Sequence, residues 1–113
     1  MGSAARTRFD DLARELRKDG VSVGVHFQHR ALKSQGEAVL CLEEDGVVIR
    51  LPADSEPHRE ALAQEDAHLF DPSGRAPLDD WVVVPLSASE HWSEWAHAAV
   101  RAVREAKDAA RYR

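Results

Sequence analysis

The chain has 113 residues, of which 43% are apolar and 31% charged, a composition typical of one soluble globular domain. Its single cysteine, Cys41, excludes an internal disulfide and every multi-cysteine zinc or iron–sulfur site. No apolar run approaches the roughly 18 residues that a membrane-spanning helix needs. Because residues 1–5 lead directly into charged residues without a signal peptide, we expect a cytoplasmic protein with no membrane partner and a disordered start over residues 1–5.

The charge is distributed unevenly along the chain. Residues 1–33 contain seven basic and four acidic residues, a net charge of +3, and residues 101–113 contain five and two, again +3. Residues 34–100 contain three basic and fourteen acidic residues, a net charge of −11. A generic DNA-binding protein is positively charged, because phosphate neutralisation supplies much of its affinity. The overall charge of −5 therefore restricts nucleic-acid binding to a local basic surface.

The N-terminal third contains a predicted helix, strand and loop. Apolar residues recur at helical spacing over Thr7–Lys18, and Gly20 follows as expected beyond a helix C-terminus. From Val21 to Val25, valines alternate with small or polar residues, which predicts a strand with one apolar face. The polar segment His29–Gln35 then predicts a loop or a short edge strand.

The clearest local signal is a β-hairpin around Asp45-Gly46. Two β-rich runs, Ala38–Glu43 and Val47–Leu51, flank this dipeptide, which favours a two-residue turn because both positions need positive φ. With this turn, Leu42 is expected opposite Ile49. The pairing gives one strongly apolar and one mixed face, which is typical of an antiparallel sheet covered on one side.

The second half begins with a short helix. Asp54 is a good N-cap for a helix over Glu56–Gln64. Strands are predicted over Ala67–Asp71 and Asp80–Leu86, and Pro85 confines the second of them to an edge or a strand end.

A long helix ends the chain. Ser87 and Glu90 have the spacing of a capping box at its start. Its apolar residues recur on one predicted buried face, made of Trp92, Trp95, Ala96, Ala99, Val103 and Ala106. The element order α-β-β-β-α-β-β-α predicts one α+β domain over residues 1–113, with a single antiparallel sheet and helices packed on one face.

Four segments carry a resemblance to a known family: Val47–Pro52, Phe70–Arg75, Asp80–Pro85 and the tryptophan-bearing helix that starts near His91-Trp92. In this succession, residues 38–103 resemble the TfoX N-terminal and MmcQ/YjbR-like small bacterial domains, which share the YjbR/CyaY-like fold. Members of the family often have a Lys-Met-Phe-Gly segment after the first helix. The corresponding Val25–Arg30 keeps only the phenylalanine.

The resemblance implies the fold first. It also implies a regulatory role, since the TfoX group is associated with competence regulation, and DNA binding, which is the common label of MmcQ/YjbR members. No catalytic residue set comes with the family. The more distant CyaY (frataxin) relatives bind iron on an acidic surface. A comparable surface here would use the carboxylates around the second helix, Glu56, Glu60, Glu65 and Asp66.

Two basic groups are the candidate residues for nucleic-acid or partner binding. They are Arg14, Arg17 and Lys18 on the first helix and Arg101, Arg104, Lys107 and Arg111 on the last. The groups join into one surface if the two helices are neighbours. The alternative interpretation is structural, because the helix macrodipole favours cations near a helix C-terminus.

A second candidate surface site contains His26, His29 and Arg30, on the side of the sheet away from the main helices. On one continuous strand, His26 and His29 would point to opposite faces and could not chelate a metal together. No histidine or glutamate spacing typical of a helical metal site occurs, so no metal or other cofactor is expected. Cys41 lies mid-strand between two leucines, and we expect it to be half-buried and inert.

The sequence therefore predicts a small non-enzymatic binding or regulatory module. It would act through a protein partner, which includes a homodimer, or through weak nucleic-acid contact. Two alternatives remain open at this point. One is a frataxin-like metal-handling protein with an acidic surface, and the other is a small-molecule-binding domain.

Overall fold

The computed structural model describes residues 3–111. Its helices and strands are, in chain order, α1 (Ser3–Leu16), β1 (Val21–His26), β2 (His29–Ser34), β3 (Glu37–Glu43), β4 (Gly46–Arg50), α2 (Glu56–Leu62), β5 (His68–Leu69), β6 (Trp81–Pro85) and α3 (Trp92–Arg111). The strands form one antiparallel sheet in the spatial order β1-β2-β3-β4-β6-β5. The predicted α+β class with a single antiparallel sheet is confirmed. In the described range, none of the helices combines the length and apolarity needed to cross a membrane.

The main core lies on one face of the sheet, under α1 and α3. Phe9 and Leu16 of α1 and Trp92 of α3 are almost completely buried against Leu40 and Ile49 of the sheet. Full burial of one such side chain contributes about 1.5–3 kcal/mol. The predicted packing of the first and last helices on the apolar face is confirmed.

The opposite face is covered by loops and turns that meet at Trp81. Phe27, from the turn between β1 and β2, and Phe70, from the connection before β6, pack against this tryptophan. The ring centre of Trp81 lies 5.4 Å from that of Phe27. Cys41 and Val48 are buried beneath this cluster, so both faces of the central strands are covered.

The segment predicted as a loop or an edge strand is β2, and it lies inside the sheet between β1 and β3. Two-residue turns at Phe27-Gln28 and Gln35-Gly36 connect it to its neighbours, and all four turn residues have positive φ. Such turns favour glycine and asparagine, and only Gly36 among the four has a preferred type. The polar composition and unusual turn residues explain why the sequence did not reveal this strand.

The β3–β4 hairpin forms with a register two residues away from the predicted one. Glu44 and Asp45 form the turn, and Leu42 lies opposite Val47 instead of Ile49. A shift of two residues leaves every side chain on its predicted face. Gly46 lies in β4 without positive φ, and its role is steric, because a Cβ there would collide with the carbonyl oxygen of Val84.

The N-terminal helix is longer than predicted. Ser3–Ala5, expected to be disordered, belong to α1, and Ala5 is buried in the core. Met1-Gly2, which the same prediction covers, lie outside the described residues. Gly20 has φ of 81° and ends the 3₁₀ turn that follows α1, as its predicted place beyond a helix requires.

The other helix ends also differ from the predictions. In α2 the N-cap is Ser55 instead of Asp54, and the Ser55 hydroxyl accepts a hydrogen bond from the His58 N–H at 3.4 Å. A 3₁₀ helix over Leu86–His91 precedes α3, so the residue proposed for a capping box, Ser87, is not at the N-cap of α3. The predicted buried stripe ends at Val103, because Ala106 is exposed.

Candidate functional site

β1 forms an open edge of the sheet. It pairs with β2 in unbroken register from Val21 opposite Ser34 to His26 opposite His29, and no strand of the described chain lies on its other side. The two-residue turn makes His26 and His29 a hydrogen-bonded pair, and such pairs alternate along an antiparallel ladder. The N–H and C=O groups of three residues therefore point to the free edge: Val21, Val23 and Val25.

The same edge exposes apolar side chains. Val23 is 50% exposed and Val25 is 64% exposed. Among residues 3–111, these two are the large apolar side chains that are exposed to this extent. Both lie on the helix side of the sheet, where α1 covers Val21. β1 contains no proline, lysine, arginine or acidic residue and no bulge, which are the devices that protect sheet edges from strand addition. The sequence indicated the apolar face of β1, but the strand order that leaves it open is not a local property.

A groove of about 700 Å³ runs between α1 and β1. Its lining residues are Asp10, Ala13, Arg14, Arg17, Val21, Ser22, Val23 and Arg30. Arg14 forms an ion pair with Asp11 at 2.5 Å. Within the described part of the chain, no carboxylate lies at ion-pair distance from Arg17 or Arg30. The groove therefore combines an apolar floor with an excess of positive charge.

The charges are ordered along the groove because α1 runs antiparallel to β1. At one end, Arg30 lies opposite Val25 in the ladder, and its guanidinium is 6.0 Å from the ring centre of Phe9. At the other end, Arg17 opens the short 3₁₀ turn that leads into Val21. The Val21 end thus lies beside Arg17, and the Val25 end beside Arg30.

The two predicted basic groups lie on neighbouring helices, but acidic residues occupy the seam between them. The Glu15 carboxylate of α1 accepts hydrogen bonds from the Ser93 hydroxyl at 2.5 Å and from His97 Nε2 at 2.7 Å. These hydrogen bonds, outweighing burial, lower the pKa of Glu15. Asp19 lies 3.9 Å from His97 Nδ1. The seam therefore carries two carboxylates between the basic residues of α1 and those of α3.

The basic residues of α3 do not form an uninterrupted positive stripe. Glu105 and Asp108 follow Arg101 and Arg104 by four residues, so they lie beside them on the helix surface. Lys107 Nζ donates a hydrogen bond to the Gln35 carbonyl at 3.1 Å. Arg14 and Arg17, by contrast, line the α1–β1 groove, whereas Lys18 and Arg111 line neither that groove nor the one beside α3.

The histidine candidates are arranged differently from the expectation. His26 and His29 lie directly opposite each other across the turn, so they share the face away from α1 and α3. The expectation of opposite faces applied to one continuous strand, and here the β1–β2 turn breaks the strand between the two histidines. Arg30 lies on the other face, over Phe9, and is not part of a site with the histidines. Burial, with a smaller effect of nearby positive charges, lowers the pKa of His26, whose ring stacks on Trp81 at 5.5 Å.

Carboxylates near α2 are spread over separate depressions. Glu60 lines one with His91 and Trp95, and Asp66 lines another at the β3–β4 turn. Among residues 3–111, no three His, Cys, Asp or Glu side chains converge as a metal site requires. Cys41 is fully buried, not half-buried, and burial raises the pKa of its thiol to about 11. Its thiol is therefore protonated at neutral pH.

A second groove, of about 490 Å³, lies beside the C-terminal half of α3. Its wall is made of small side chains, including Ala99, Ala102 and Ala106. The Arg50 guanidinium at its margin is already paired, with Glu37 at 3.1 Å and Asp80 at 3.2 Å. In contrast to the α1–β1 groove, it combines an apolar wall with a neutralised arginine.

Comparison with known proteins adds no relative to this geometry. The chain matches no protein-family model, no curated protein and no solved structure.

Proposed function

We propose that this protein is a non-enzymatic binding module that takes up an extended segment of a protein partner as an additional strand beside β1. The observation that carries the proposal is the open edge of β1, with Val23 50% and Val25 64% exposed. In strand addition, main-chain hydrogen bonds supply affinity and side-chain contacts supply specificity. An added strand would bond to the outward N–H and C=O groups and cover both valines.

The edge alone supports only weak binding. Covering the exposed parts of Val23 and Val25 contributes about 2–3 kcal/mol in total, and each new hydrogen bond contributes about 0.5–1.5 kcal/mol net. Association costs about 4–15 kcal/mol in lost freedom of motion. A specific partner must therefore also contact the α1 wall of the groove, where Arg14 and Arg17 lie.

A protein partner suits this surface better than a nucleic acid. A polynucleotide has no backbone that continues a β-ladder. Nucleic-acid binding depends on neutralising several phosphates, and three arginines beside Asp10 and Asp11 offer too little net positive charge for that. A regulatory role and a relationship to the TfoX N-terminal and MmcQ/YjbR-like domains belong to the same proposal. The observed order of a first helix, an antiparallel sheet and a C-terminal helix supports the proposed relationship, and the regulatory role rests on that relationship alone.

The proposal is tested by selecting peptides from a random library against the wild-type protein and measuring their binding to Val23→Pro. The Val23 N–H points away from β2, so proline removes an outward donor and leaves the β1–β2 ladder intact. We expect Val23→Pro to weaken the selected peptides by about tenfold or more, as loss of one or two hydrogen bonds implies. Val23→Thr, which keeps the N–H and the branched shape, is the matched control and should bind normally. Equal binding to wild type and Val23→Pro, or an empty selection, would contradict the proposal.

A further inference from the structure

We infer that the segment bound at β1 carries an apolar residue opposite Val25 and carboxylates opposite Val23 and Val21. This inference rests on the proposed strand addition at β1 and names the chemistry of the partner. Its basis is the order of charges along the α1–β1 groove.

The side chains of an added strand alternate between the two faces of the sheet. Residues directly opposite each other in an antiparallel pair point to the same face of the sheet. Positions opposite Val21, Val23 and Val25 therefore point into the groove, toward α1. The intervening positions point to the other face, beside Ser22 and Gly24, where the Lys33 side chain lies over Gly24.

The groove-facing positions of an added strand meet different charged residues of the protein. Positions opposite Val21 and Val23 face Arg17 and Arg14 on α1. Arg17 has no ion-pair partner among the residues described, so a carboxylate placed there meets an uncompensated guanidinium. Arg14 is paired with Asp11, but its side chain is 72% exposed and an exposed ion pair is weak, so Arg14 still attracts a partner carboxylate. Both positions therefore favour Asp or Glu in the partner, and the position opposite Val21 does so more strongly.

The Val25 end of the groove favours an apolar residue in the partner. Here Arg30 and Asp10 supply charges of both signs, so neither sign is strongly favoured in a partner. Val25 is also the most exposed apolar side chain of the edge, at 64%. An apolar residue opposite Val25 gains the most burial at this position.

The bound segment is expected to run antiparallel to β1. Every strand pair in the sheet is antiparallel, and antiparallel pairing is slightly more stable per residue than parallel pairing. β1 runs from Val21 to His26, so an antiparallel partner meets Val25 first. Read from its N-terminus, the bound segment has the pattern apolar-x-acidic-x-acidic.

A second copy of this chain fits the groove less well. If β1 paired with its own copy around Val23, valines would stand opposite Val21, Val23 and Val25 at every groove-facing position. No carboxylate of the copy's β1 would then reach Arg14 or Arg17. We therefore assign the site to an acidic extended segment of another protein.

The probe for this inference is a fluorescein-labelled peptide, Gly-Thr-Val-Thr-Glu-Thr-Glu-Thr-Gly, measured by fluorescence anisotropy. The comparison peptide has lysine in place of both glutamates. Each exposed ion pair changes affinity by a small factor, so we expect the glutamate peptide to bind about 3- to 30-fold more tightly at low salt. The difference should shrink at about 0.15 M salt because surface charges are screened.

Charge reversal in the protein makes the test specific to the groove. In the double variant Arg14→Glu/Arg17→Glu, the preference should invert, so that the lysine peptide binds more tightly than the glutamate peptide. The matched control is Arg101→Glu/Arg104→Glu, which makes the same change of charge on α3. This control should leave the preference unchanged. An unchanged preference in the first variant, or an inverted one in the control, overturns the inference.

The remaining outcomes separate the inference from the proposed function. If both peptides bind wild type equally and Val23→Pro weakens both, strand addition stands and the acidic pattern is wrong. If the glutamate peptide does not bind at up to about 1 mM, which includes weak complexes with Kd near that concentration, the inference is overturned. A concentration-dependent dimer in sedimentation that Val23→Pro abolishes would then assign the edge to a second copy. Binding that ignores Val23→Pro would overturn the proposed function as well.

Discussion

The two edges of the sheet are built in opposite ways. At one edge, β5 has only two residues, His68 and Leu69, and its ladder with β6 continues for one more hydrogen bond, from the Phe70 N–H to the Trp81 carbonyl at 2.8 Å. At the other edge, β1 extends over six uncharged or histidine residues and exposes two valines. Short, covered edges are the usual protection against unwanted strand pairing. The comparison indicates that one edge is too short to pair extensively, whereas the other offers a long, unpaired strand to a partner.

The largest expected effect comes from removing Trp81, which pairs with the short edge through Phe70 and lies at the centre of the face away from α1 and α3. Trp81→Ala removes the ring on which Phe27 and Phe70 pack, and loss of a buried tryptophan costs about 3–5 kcal/mol of stability. Urea unfolding followed by circular dichroism measures this free energy. Trp81→Phe keeps an aromatic ring and should cost clearly less. A loss below about 1 kcal/mol for Trp81→Ala, within the range of surface substitutions, would contradict the assignment of Trp81 as the centre of this face.

The next effect separates the two sides of β1 itself. The Gly24 N–H points to β2, so Gly24→Pro removes a ladder hydrogen bond and should destabilise the fold by about 1–3 kcal/mol. Val23→Pro removes only an outward donor and should cost much less. Thermal unfolding of the two variants compares them directly. Similar losses of stability for both variants would contradict the assignment of the Val23 N–H to the free edge and of the Gly24 N–H to β2.

A smaller effect compares valines at the free edge with valines in the centre of the sheet. Val25→Thr adds a hydroxyl at an exposed position and should change stability by less than about 0.5 kcal/mol. The same change at Val84, which is fully buried on β6, leaves a hydroxyl in the core and should cost about 1–3 kcal/mol. Chemical denaturation of both variants tests the contrast. A large loss for Val25→Thr would indicate that this side chain is already covered.

The smallest effect is a pH dependence at the turn beside the open edge. The pKa of His26 is lowered below its usual 6.5 by burial first and by nearby positive charges second. The unfolded chain then binds the proton more readily, so the stability from neutral His26 is present above pH 6.5 and is lost as pH falls through the lowered value. His26→Gln should flatten this dependence in unfolding measurements between pH 5 and pH 8. His29→Gln, across the turn, is the control. A titration of His26 by NMR at or above 6.5 would contradict the direction.

Much of the fold could be predicted from local patterns. The long apolar periodicity of α1 and α3 and the alternating runs of β3, β4 and β6 each identify their element without reference to the rest of the chain. The segment of β2 was left open between a loop and an edge strand, and its place inside the sheet could not be predicted. Its first turn places Phe27 and Gln28 at positive φ, where the packing of Phe27 on Trp81 compensates for an unfavourable local conformation. The hairpin register likewise depends on the close approach of Gly46 to β6.

The candidate site was only partly visible in the sequence. Arg14 and Arg17 were predicted on a basic surface shared with α3, and Arg30 was predicted in a site with His26 and His29. In the structure all three arginines line the α1–β1 groove instead. Val23 and Val25 were missed, because an alternating strand has the same pattern whether its apolar face is covered or open. The apolar face of β1 is open because β1 lies at the end of the strand order. That order depends on contacts between distant parts of the chain.

Strand addition at β1 is tested most directly by amide exchange in β1 followed by NMR, without and with the glutamate peptide. Without the peptide, the outward amides of Val21, Val23 and Val25 should exchange rapidly, and those of Ser22, Gly24 and His26 should be protected by β2. With the peptide at saturation, the three valine amides should become protected. Valine amides that are protected before any peptide is added, or that stay unprotected when it is bound, would contradict the account of β1 as a free edge that accepts a strand.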